Sequence, residues 1–147
     1  MVFLEAILRK LGFSEKWISL MMLCVSTVSY SILINGVPMG FIKPTRGIRQ
    51  GDPLSPFMFL LCIEGLHGLL TQLALRGDIH GFSLSKRSPS LTHLLFAYNS
   101  LLFCRSNAEE CHKVMEVLQV YEMGSRQQIN KATTIVFFSK STNEEQR

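Results

Sequence analysis

The stretch Leu94–Arg105, LLFAYNSLLFCR, decides how the chain folds. Two apolar runs, Leu94-Leu95-Phe96-Ala97 and Leu101-Leu102-Phe103-Cys104, flank Tyr98-Asn99-Ser100. Short apolar runs parted by a few polar residues read as two buried strands joined by a tight turn. Asn accepts turn geometry readily, which suits Asn99 to the tip. A polar tip held between two core strands is a natural place for an active site.

Around this hairpin the reading extends to one α+β domain. Upstream, Met1–Leu11 has Phe3, Leu4, Ile7, Leu8 and Leu11 on one helical face, and Gly12 ends it. Ser14 is placed to cap a second helix from Glu15 to about Val25. A helix beginning this early suggests a truncated start. From Val28 the period changes to two, with Val28, Tyr30, Ile32 and Ile34 alternating. Asn35-Gly36 is the strongest short hairpin signal, and Val37–Ile42 is the return strand, weakened by Pro38.

Thr45–Pro56, TRGIRQGDPLSP, is a dense loop. Gly47 and Gly51 allow close backbone approach to a ligand. Arg46, Arg49 and Gln50 supply donors suited to phosphate, sugar or base edges. Ser55 as N-cap and Pro56 in the first turn launch the apolar helix Phe57–Ala74, whose start offers N–H groups to an anion. After a connector, Arg76–Ser90, with a short strand at Ile79–Leu84, comes the hairpin. Asn107 and Glu110 then form an Asn-type capping box for a helix to Met123, with Gly124 as its C′ residue. Thr133–Phe138 reads as a last strand. Residues 1–142 form the domain and residues 143–147 a frayed tail.

Bulk properties bound the function classes. The chain has 147 residues, 47% apolar and 18% charged, which is enough to bury a core and too apolar for disorder. The net charge of +4 permits a polyanionic partner, although no basic block stands out. Cys24, Cys62, Cys104 and Cys111 show no C-x-x-C pair, and with the four histidines they make no zinc pattern. Three of these cysteines sit in apolar runs, which suggests buried reduced thiols in an intracellular setting, nuclear or cytoplasmic. Cys111-His112 reads as structural, and His93 as a satisfied histidine beside a buried strand. Trp17–Ile34 is broken by serines and Phe57–Ile63 is too short to span a bilayer, so no membrane association is expected.

At RGIRQGDPLSP, residues 46–56, the chain resembles the reverse transcriptase domain of LINE-type (non-LTR) retrotransposons. The resemblance runs from Phe3 to Thr142, in order, through FLEAILRKLGF, ILINGVPMGFIKPTRGIRQGDPLSPFMFLLCIEGL, HLLFAYNSLLFCR and INKATTIVFFSKST. It implies a polymerase palm, a ferredoxin-like sheet backed by helices. It also implies two-metal phosphoryl transfer, with Mg²⁺ held by carboxylates and an RNA template and DNA primer as partners. Arg46, Gly47, Arg49, Gln50, Gly51 and Ser55 would then form the nucleotide and template site.

The decisive positions depart from that family. Its hairpin reads Phe-Ala-Asp-Asp, and here Tyr98 and Asn99 replace both carboxylates. A neutral amide oxygen is a poor Mg²⁺ ligand beside a carboxylate. The family's early-strand Asp would fall upstream of Met1, and its Lys near the last strand aligns with Thr133, with Lys131 nearby. Each lost metal effect costs roughly 10²–10⁴ in rate. Asp52, Glu64, Asp78 and Glu116 lie elsewhere in the sequence. The resemblance therefore implies an inactive fragment that needs no cofactor, with weak nucleic-acid binding. A non-catalytic nucleic-acid-binding module and a chain that does not fold stably alone are the other expectations.

Overall fold

The structure, a computed structural model, describes residues 2–43, 52–85, 87–96, 99–140 and 142. It is mixed α+β, with four helices and two small antiparallel hairpins among those residues. In order these are α1 (Val2–Lys10), α2 (Glu15–Ser26), β1 (Tyr30–Ile34), β2 (Val37–Ile42), α3 (Ser55–Arg76), β3 (His93–Leu95), β4 (Ser100–Leu102) and α4 (Ala108–Ser125). The chain divides into two compact units, Met1–Cys62 and Ile63–Arg147, with the boundary inside α3.

In the first unit the apolar spacing produces the expected helix pair. Leu4 and Leu8 of α1 meet Ile18 and Met21 of α2 and Met58 of α3 in one buried cluster. Leu11 falls outside α1 and stays exposed. Ser14 caps α2, its hydroxyl accepting the Trp17 N–H at 3.4 Å. Arg9 links the two helices, 2.8 Å from Glu5 and 2.9 Å from Glu15. The Asn35-Gly36 turn forms as the sequence predicts, with φ of 50° and 79°, and Ile34 pairs with Val37 across it. A further irregularity was not foreseen. The register slips by one residue between Tyr30–Ile42 and Ile32–Met39, and Gly40 in the extra position has φ 73°. That is a β-bulge, for which a residue without Cβ is suited.

The second unit has its core where α3, the connector and α4 meet. Leu73, Ile79 and Val114 are buried together, with Leu102 and Leu118 packed against them. Ile79–Leu84 contributes only an isolated bridge, Phe82 to Leu91, and no full strand. Gly81 explains how that bridge closes, since a Cβ there would collide with the Leu91 carbonyl. Thr133–Phe138 is irregular rather than a strand, and Ile135, Val136, Phe137 and Phe138 are exposed. Its β-branched composition fits a strand, but it finds no ladder partner among the described residues. The α+β class stands, and among the described residues each hairpin is a two-stranded sheet.

Helix α4 also ends later than expected. Gly124 lies inside it, and Arg126 takes the left-handed cap conformation at φ 60°, donating its N–H to the Glu122 carbonyl at 2.9 Å. Among the described helices α3 is the one long and apolar enough to cross a bilayer, at a mean hydropathy of 1.6. Met58, Ile63, Leu66, Leu70 and Leu73 of this helix are buried, while 22% of its apolar window is buried in all.

Candidate functional site

The hairpin β3–β4 is held at its base. His93 pairs with Leu102, Leu94 with Leu101 and Leu95 with Ser100, and Phe103 donates its N–H to Thr92 O at 2.8 Å. At the other end Phe96 donates its N–H to the Asn99 carbonyl at 2.8 Å. Asn99 therefore flanks the turn and pairs across it instead of forming its tip, and it does not use the left-handed conformation. Tyr98 lies outside the described residues. The strands are not the buried pair that their apolar runs imply, because Phe96 is 55% and Leu101 48% exposed. Three residue pairs make too short a ladder to bury both faces.

Among the described residues no group of three or more His, Cys, Asp or Glu could hold a metal ion. Asn99, the described residue of the Tyr98-Asn99 pair, has a neutral side chain. The chemistry that two Mg²⁺ ions would supply thus has no carboxylate at this hairpin among the described residues.

Of the expected nucleotide-site residues, Arg46, Gly47, Arg49, Gln50 and Gly51 lie outside the described residues. Ser55 is described, and its position corrects the sequence reading by one residue. Met58 donates its N–H to Leu54 O at 2.9 Å, so Leu54 is the N-cap and Ser55 the first helical residue. Asp52 organises this start: its carboxylate accepts the Leu54 N–H at 2.8 Å, and its carbonyl accepts the Ser55 N–H at 3.0 Å. A carboxylate at the positive end of a helix dipole suits the helix but opposes an incoming phosphate.

Thr133 makes a local turn, donating its N–H to Asn130 O at 3.2 Å. Lys131 lines a groove of about 240 Å³ against α4, together with Met115, Leu118, Gln119, Glu122, Ile129 and Thr134. The wall is predominantly apolar and presents no constellation for phosphoryl transfer.

Two polar clusters in the second unit were only partly foreseen. In the first, His93 Nε2 lies 2.8 Å from His67 Nδ1, and its Nδ1 lies 2.8 Å from Thr92 Oγ1. Burial, with His67 beside it, holds the His93 imidazole below its ordinary value of 6.5. It is the satisfied histidine that the sequence suggested. In the second cluster Glu110 is buried at 5% exposure. Asn107 accepts the Glu110 N–H at 2.7 Å, the cap half of the expected box. The reciprocal half is not made, because the Asn107 N–H goes to Arg105 O at 2.9 Å. The Glu110 carboxylate instead accepts the His80 N–H at 2.8 Å and the Arg105 N–H at 3.0 Å. Burial works to raise the Glu110 pKa, but those N–H donors and the His80 ring outweigh it and hold it below 4.5.

The cysteines also depart from expectation. Cys24, Cys104 and Cys111 are exposed and Cys62 is half-buried, and none is in a disulfide. Apolar flanks in sequence do not bury a thiol when the strand or helix face that carries it is open.

No protein-family model matches the chain. The chain is similar to an uncharacterized mitochondrial protein of Arabidopsis thaliana, 51% identical over 65 residues. That match covers 44% of this chain and 53% of the relative, so the chain spans about half of the relative's length.

Proposed function

We propose that this chain is a fragment of a reverse transcriptase domain of a LINE-type retroelement and that it does not catalyse DNA synthesis. The observation that carries the reading is the hairpin itself. The sequence Phe96-Ala97-Tyr98-Asn99 joins two short antiparallel strands and carries Tyr98-Asn99 where the family has paired carboxylates. The TRGIRQGDPLSP loop leading directly into an apolar helix supports the family assignment. The mixed α+β architecture is compatible with part of a polymerase palm. Without carboxylates to hold Mg²⁺, neither the attacking 3′-hydroxyl nor the departing pyrophosphate is stabilised. Primer extension on an RNA template is the test, and the expected result is no incorporation above a control lacking the chain.

A second reading concerns folding. The β1–β2 hairpin is exposed along both faces, with Phe41 75% and Leu33 69% accessible, and Val136 and Phe137 are open as well. A lone two-stranded hairpin is marginal in water. This supports a chain whose stability depends on surfaces it does not itself supply, for which a broad, non-cooperative thermal melt is the expected sign. The binding-module reading gains less, because Asp52 occupies the start of α3. Any nucleic-acid affinity then rests on Arg46, Arg49 and Gln50, is weak, and falls with added salt.

A further inference from the structure

We propose that His67 and His93 bind one divalent transition-metal ion of tetragonal preference, Ni²⁺ or Cu²⁺, whose remaining positions water fills. His67 Nδ1 and His93 Nε2 lie 2.8 Å apart, with ring centroids 5.0 Å apart. Imidazole nitrogens bind such ions at about 2.0 Å, so two ligands on neighbouring corners of a square stand about 2.8 Å apart. On a tetrahedron the same bond length separates them by about 3.3 Å. The observed separation is that of the square, so a swing of the two rings, rather than a shift of backbone, admits the ion.

Both side chains stand on held backbone within the second unit. His67 lies in α3 between the buried Leu66 and Leu70, and His93 opens β3, where it pairs with Leu102. The other ring nitrogen of His93 is already engaged, its Nδ1 lying 2.8 Å from Oγ1 of the buried Thr92. A metal-bound histidine is oriented in this way, with a partner on the far nitrogen that leaves a lone pair on the near one. Between two neutral rings the facing nitrogens share one proton. The ion takes its place once that proton moves to the far nitrogen of its own ring, so none is lost overall. His67 is exposed and His93 half-buried, which gives an ion access from solvent. Among the described residues no third His, Cys, Asp or Glu completes the set, so the site is a weak, exchangeable one.

The probe is Ni²⁺, which leaves thiols unoxidised, titrated calorimetrically into the full chain without an affinity tag and with its four cysteines alkylated. The expected result is one site, weakened about tenfold or more by His67→Gln or His93→Gln and roughly tenfold by Thr92→Val. His80 and His112 face carboxylates instead, Glu110 at 2.9 Å and Glu116 at 3.3 Å, and His112→Gln leaves the affinity unchanged. Mapping of diethylpyrocarbonate labelling on the unaltered chain decides the matter even if a variant fails to fold. Ni²⁺ slows the labelling of His67 and spares that of His80 and His112. No Ni²⁺ binding, binding that survives the loss of His67 or His93, or labelling of His67 unaffected by Ni²⁺ overturns the proposal. Tighter binding of Zn²⁺ than of Ni²⁺ overturns the tetragonal preference.

Discussion

The ring Nδ1 of His80 lies 2.9 Å from the carboxylate of Glu110, and the His80 backbone N–H donates to the same carboxylate at 2.8 Å. One buried side chain thus fixes the connector after α3 through His80, the exit from β4 through Arg105, and the start of α4 through its own position. Glu110→Gln retains the shape but loses the charge that four donors address, the His80 N–H and ring, the Arg105 N–H and the Asn107 side-chain amide. Hydrogen bonds to charged groups are worth more than neutral ones, so the variant is expected to lose about 1–3 kcal/mol in chemical denaturation. An unchanged midpoint would remove Glu110 from its organising position.

Acid should destabilise the second unit in two steps. His93 has a folded pKa below its ordinary 6.5, so its contribution is complete above that value and is lost as pH falls toward the folded value. Glu110 also has a depressed folded pKa, so its contribution is present above 4.5 and is lost as pH falls below it. A stability–pH curve should decline below 6.5 and decline again below 4.5. His93→Gln should erase the first step and leave the second. Stability that rises on acidification through either window contradicts the assignment.

Gly81 is the tightest close approach among the described glycines. Its missing Cβ lets Phe82 and Leu91 exchange both backbone hydrogen bonds at 2.8 Å. Gly81→Ala must push the two segments apart, and overpacking of this kind costs about 1–3 kcal/mol. Amide exchange at Phe82 and Leu91 reads the effect locally, and unaltered protection at both would show that the backbone yields freely.

Arg126 adopts the left-handed conformation at φ 60° without the freedom of glycine. For an L-residue that conformation costs about 1–2 kcal/mol. Arg126→Gly should therefore stabilise the chain by up to about 1 kcal/mol, after the greater entropy of glycine in the unfolded state is subtracted. A lower melting temperature for the glycine variant would mean that the Arg126 side chain contributes more than its backbone strain costs.

The local signals in the sequence were the readable ones. Asn35-Gly36, Ser14 and Asn107 act through neighbours a few residues away, and each places its turn or cap where the chemistry of the residue predicts. The α1–α2 pairing was legible for the same reason, since Leu4, Leu8, Ile18 and Met21 carry their helical spacing openly. What stayed hidden depends on distant partners. Nothing near Thr133–Phe138 signals whether a neighbouring strand exists, and nothing near Cys104 reveals that it is open to solvent. The Gly40 bulge and the switch of Glu110 from Asn107 to His80 and Arg105 are set by packing between segments. At the candidate site the sequence supplied the neutral side chain of Asn99. The structure corrected its place, from the tip of the turn to its flank, and found Asp52 at the head of α3, where an anion had been expected.

The central claim is that a hairpin without carboxylates leaves this chain unable to extend a primer. Purified chain incubated with a DNA primer annealed to an RNA template, deoxynucleotides and Mg²⁺ or Mn²⁺ should give no extension above a preparation lacking the chain. Extension that scales with the amount of this chain and requires the divalent ion would contradict it.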